Sequence, residues 1–164
     1  MKLRTMVAGT ALAALVAAPA ASAQQVDLGG VVHGSMELVL TPPTKGFASF
    51  TRTRSYEMSF NATAITTQSP SLLTLADGDA TSGSRLGYIS VGKKRLASPL
   101  EARIGNSGAF QPLNNSVDPV LRRWSDVTSR SNGNATVRLR QKNKGRSTGN
   151  YRKVVLVTLS TETP

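Results

Sequence analysis

The stretch "NATVRLRQKNKGRSTGNYRKVVLVTLSTETP", residues 134–164, decides how the chain is read. Ala135, Val137 and Leu139 alternate with Arg138, Arg140 and Lys142. A two-residue period with one apolar row describes a strand laid over a core, with its cationic row toward solvent. Lys144 and Arg146 follow in "NKGRSTG", a stretch rich in turn formers, and the chain returns through Arg152 and Lys153 into Val154, Val155, Leu156 and Val157. Apolar residues on both faces predict a returning strand held inside a sheet.

Two uses of the cations stay open. They can be the solvated side of a hairpin, where charge blocks edge-to-edge aggregation, or a face that attracts a polyanion. A nucleic-acid arm would carry continuous charge without an apolar partner row. A single-strand binder would interleave aromatic residues for base stacking, and only Tyr151 lies near. No specific nucleic-acid partner is expected. The candidate polyanion-binding residues are Arg138, Arg140, Lys142, Lys144, Arg146, Arg152 and Lys153.

The same period runs upstream. In "SYEMSFNATAIT", Tyr56, Met58, Phe60, Ala62 and Ala64 share one face, opposite Ser55, Glu57, Ser59, Asn61 and Thr63. Met36, Leu38 and Leu40 alternate likewise until Pro42 and Pro43 remove two successive backbone donors and end the strand. "SLLTLA" stops at Asp77-Gly78-Asp79, a turn signal. Further strand candidates are 85–91, 98–104, 108–113, 120–125, 135–141 and 151–160, separated by stretches rich in Gly, Asn, Ser, Pro or charge. No segment after the first 23 residues sustains helical apolar spacing. The expectation is an all-β fold, an immunoglobulin-like antiparallel β-sandwich of about eight or nine strands.

The amino end reads as an address. Lys2 and Arg4 precede an uncharged stretch from Thr5 to Ala18, then Pro19 and the small triplet Ala21-Ser22-Ala23, as in a secretory signal cleaved after Ala23. A membrane anchor would need roughly 20 strongly apolar residues. The expected organisation is therefore a signal peptide at 1–23, a flexible lead-in at 24–34 and one sandwich domain at 35–164, secreted and without a transmembrane segment. Cleavage removes two of the 20 basic residues and none of the nine acidic ones, leaving a formal charge of +9. Such a balance suits anionic wall polymers, acidic lipid surfaces or phosphate backbones. There are no cysteines, so neither disulfides nor thiolate metal sites contribute, and burial must hold the fold.

Catalytic chemistry is not evident. Nucleophilic catalysis needs a base beside its nucleophile, and the one histidine, His33, lies in the Gly-flanked lead-in. "DGD" at 77–79 lacks the further oxygen ligands that a calcium site requires. Glu37, Glu57 and Glu101 fall on strand candidates as outward charges. The expectation is a non-enzyme without metal or cofactor. Trp124, beside Arg122 and Arg123, is either a carbohydrate platform or an anchor in the sandwich core.

The ending "GNYRKVVLVTLSTETP" resembles the closing strand of the WxL-like immunoglobulin-type sandwiches of secreted actinobacterial surface proteins. "LVLTPPTKGFASFTRTRSYEMSFNATA" is similar to that family's opening strands, "SPLEARIGNSGAFQPL" to its middle segment and "NATVRLRQK" to its penultimate strand. The family's tryptophans are missing: Val157 stands where the second motif would place one. The resemblance implies a β-sandwich at the cell envelope that binds peptidoglycan or an anionic wall polymer. The alternatives are a diffusible binder of nucleic acid or membranes, and a structural subunit whose exposed strand edge pairs with another chain.

Overall fold

The computed structural model describes residues 34–161. The expected signal peptide, the lead-in up to His33 and the last three residues lie outside them. Among the described residues there is no helix, and so none long and apolar enough to cross a membrane.

Ten strands form: β1 (Met36–Thr41), β2 (Arg54–Thr66), β3 (Ser71–Asp77), β4 (Ser90–Val91), β5 (Lys94–Arg95), β6 (Leu100–Ile104), β7 (Gln111–Pro112), β8 (Val120–Trp124), β9 (Asn134–Asn143) and β10 (Val155–Thr161). One sheet has the order β1-β2-β9-β6-β7, the second β10-β3-β8, and β4-β5 is a separate small ribbon. Every pairing is antiparallel. The fold is an all-β, immunoglobulin-like sandwich, as its alternation predicts.

The inward rows meet between the two sheets. Ala62 and Ala64 of β2, Val137 and Leu139 of β9, and Leu100 and Ala102 of β6 face Leu73 and Leu75 of β3 and Trp124 of β8. Leu73 and Leu75 are fully shielded from water. Truncating one of them to Ala would cost about 2–5 kcal/mol, so without disulfides this layer supplies much of the stability.

Three expectations fail. First, β9 and β10 are not a hairpin: β9 lies between β2 and β6, whereas β10 pairs with β3 in the other sheet. Residues 144–154 carry the chain across the sandwich; a tight hairpin would need a turn of only about 2–5 residues. Second, β10 is an edge strand, and Val154 and Leu156 are 50% and 52% exposed. Val154 and Leu156 mark a surface that none of the described residues covers, and the strand is not central. Third, of the candidate strand at 85–91 only Ser90 and Val91 pair; residues 84–87 form a turn. The cause is Asp77, whose Oδ2 accepts the Gly87 N–H at 2.6 Å and pulls the segment out of extension. Gly87 sits at φ +74°, and a Cβ there would lie 2.4 Å from the Asn114 nitrogen. Only glycine fits that approach.

Candidate functional site

The seven candidate cations do not form one patch. Arg138, Arg140 and Lys142 do point outward from β9, as their alternation predicts, but register supplies them with acids. Arg140 lies directly between Glu57 of β2 and Glu101 of β6. Its Nε donates to Glu101 Oε2 at 2.6 Å, and Lys142 Nζ meets Glu101 Oε1 at 3.0 Å. Arg138 Nη1 is 3.9 Å from Glu57. The Arg140 guanidinium also covers the Phe110 ring at 3.8 Å. This row is therefore largely matched within the sheet, which weakens it as a polyanion ladder. Lys144 and Arg146 are exposed in the crossing segment, and Arg152 is exposed beside β10.

Lys153 must leave the group altogether. Its side chain is 4% exposed and its ammonium rests on the Asp77 carboxylate, itself without exposure. Asp79 Oδ2 is 3.7 Å away. Asp77 also accepts the N–H groups of Asp79, Ala80 and Gly87, while Asp79 Oδ2 accepts that of Val154 at 2.9 Å. Burial alone would raise the Asp77 carboxyl, but the Lys153 ammonium and the backbone N–H groups outweigh it and hold the carboxyl below its ordinary range. The predicted turn is thus a clasp that pins the start of β10.

Trp124 is corrected as well. It is 7% exposed and packed into the core, so its ring offers no platform to a saccharide. The Arg122 guanidinium sits 5.6 Å from the ring centroid.

An apolar hollow lies elsewhere, and sequence reading missed it. A crevice of about 680 Å³ opens between the sheets, lined by Phe47, Phe50, Met58, Phe60, Leu139 and Val155 among others. Met58 and Phe60 are inward residues of β2, and Leu139 of β9 stands opposite Met58. Phe50 meets Tyr56 edge-on at 5.1 Å and Phe47 at 5.9 Å. The segment 42–53, which carries both phenylalanines, joins neither sheet. It is tied instead by the buried Asn143 amide, which donates to the carbonyls of Phe50, Arg52 and Gly145, while the Ser147 N–H reaches the Phe50 oxygen at 3.0 Å. One signal was readable: the inward row of β9 continues from Leu139 into Gln141 and Asn143, polar residues where the core pattern calls for apolar ones.

Two strand edges lie open near this crevice. β1 pairs with β2 only from Asn61 to Thr66, so among the described residues Arg54–Phe60 has no strand on that side. Nor does any described strand lie beyond β10. An uncovered edge beside apolar surface is what strand addition requires.

No family model and no curated protein matches the chain. Among solved structures it is similar to a chain of the CsuC–CsuE chaperone–tip adhesion subunit pre-assembly complex from archaic chaperone-usher Csu pili of Acinetobacter baumannii. Identity is 14%, the TM-score is 0.43, and the similarity covers 78% of this chain and 40% of that one. The chain therefore spans well under two thirds of that neighbour, and a likeness at this level says nothing of activity.

Proposed function

We propose that this protein is a secreted, non-catalytic assembly subunit of a surface structure, which takes up an extended segment of another chain along its open edge. The observation that supports this is the coincidence of the apolar crevice with the unpaired edges of β2 (Arg54–Phe60) and β10. An added strand gains backbone hydrogen bonds from the edge and seats alternate apolar side chains in the crevice. The segment 42–53, held by side-chain and loop contacts rather than by a ladder, is the part that yields.

A donor is present in the sequence. In "QVDLGGVV", residues 25–32, Val26, Leu28, Gly30 and Val32 fall at alternate positions, so a second copy can supply the segment. The test uses the chain from Gln24 in a light-scattering concentration series, with a synthetic peptide of residues 24–34 as competitor. Concentration-dependent association that the peptide suppresses supports the reading. A protein that stays monomeric throughout, and whose spectra the peptide leaves unchanged, sinks it. The wall-binding alternative predicts something different: salt-sensitive sedimentation with purified cell walls, without self-association.

A further inference from the structure

We propose that Arg103 centres an oxyanion site, on the side of the sandwich formed by β6 and β8 and separate from the crevice. Arg103 of β6 lies directly opposite Arg138 of β9. Like charges facing across a strand pair repel, and the side chains show the cost: the Nε atoms of both are shielded from water without an acceptor. Arg138 reaches only Glu57, at 3.9 Å. Among the described residues Arg103 has no carboxylate partner, and its guanidinium rests on the Phe110 ring at 4.3 Å.

Arg103 also lines a hollow of about 460 Å³ together with Arg122 and Arg123 of β8, Ser107 and Gln111. No acidic residue lines it. Arginines from β6 and β8 thus share one hollow that no acidic residue lines, and the buried Nε of Arg103 goes unmet. The group that satisfies them is a compact oxyanion with several acceptor oxygens, a phosphate or sulfate, which planar guanidinium forks bind through paired N–H donors. A monovalent halide offers no such geometry. The site asks nothing of strand uptake, and the two proposals stand or fall separately.

The test uses the chain from Gln24 at low ionic strength, titrated with inorganic phosphate and, in parallel, with chloride at matched ionic strength. The arginine Nε–H resonances and calorimetry are followed. Phosphate is expected to shift a subset of these resonances, Arg103 among them, to saturation, while chloride does not. Arg103→Gln should weaken phosphate binding about tenfold, Arg122→Gln should weaken it less, and Lys94→Gln, exposed on the β4-β5 ribbon, should leave it unchanged. Circular dichroism checks that each variant folds, and Arg122→Gln serves if Arg103→Gln does not. Equal shifts with chloride, or unchanged phosphate binding in both Arg103→Gln and Arg122→Gln, overturn the proposal. Competition by phosphatidylglycerol vesicles assigns the oxyanion to a lipid headgroup, competition by polyphosphate alone to a polymer, and competition by neither to the free ion; each supports the site while the Arg103 dependence holds.

Discussion

Lys153 and Asp77 meet as an ion pair that neither side chain leaves open to water, at the point where β10 begins and β3 ends. Separating two such charges from solvent is unfavourable by itself, and attraction repays it only with good geometry and further hydrogen bonds. Here three backbone N–H groups complete the carboxylate.

Removing one partner should therefore hurt more than removing both. Asp77→Asn leaves the buried ammonium with only the more distant Asp79 and should cost about 3–5 kcal/mol in urea unfolding. The double variant Asp77→Asn with Lys153→Met, which keeps a side-chain oxygen for the backbone N–H groups, should recover part of that loss. If the single and double variants are equally unstable, the pair is not what stabilises this corner.

Acid should act through the same carboxyl. Because the folded-state pKa of Asp77 is lowered, its contribution is fully present above the ordinary carboxylate value, about 3.9. It is lost as pH falls through the lower folded-state value. Thermal midpoints measured from pH 6 down to pH 2 should fall at the acid end, and Asp77→Asn should flatten that decline. An unchanged slope in the variant would assign the acid sensitivity to other groups.

Trp124 should behave as a core residue. Its emission should be blue-shifted in the native protein, and Trp124→Ala should destabilise by about 3–5 kcal/mol. Adding soluble wall oligosaccharides should leave the emission unchanged; quenching by a sugar would restore the platform reading.

Polyanion retention at low salt should depend on the crossing segment more than on the β9 row. Lys144→Gln combined with Arg146→Gln should elute earlier from a heparin-type column than Arg140→Gln, since Glu101 already matches Arg140. The opposite order would mean that the acidic neighbours do not neutralise the row.

Alternation made β2, β3 and β9 legible because their inward rows carry a period that depends on nothing else. The start of β10 was harder. Val154 to Val157 are apolar on both faces whether the outer face is covered or bare, and only the exposure of Val154 and Leu156 in the folded chain shows that the described residues leave it bare. Lys153 looked like one more surface cation because its partner lies on β3, distant in sequence and joined to it only through strand register. Register likewise brought Glu57 and Glu101 to either side of Arg140. The crevice depends on Phe47 and Phe50 in a segment without regular structure, where no period exists to be read.

The second sheet ends differently on its two sides. On β8, Arg122 and Arg123 project from the border strand, and charge there discourages pairing. On β10 the border carries Leu156 and Thr158. One flank is hospitable and the other guarded, so copies joined through this sheet would meet border to border at β10, across a twofold axis. Such a contact uses the same patch on both partners and closes on itself, so it would stop at a pair and not lengthen into a filament.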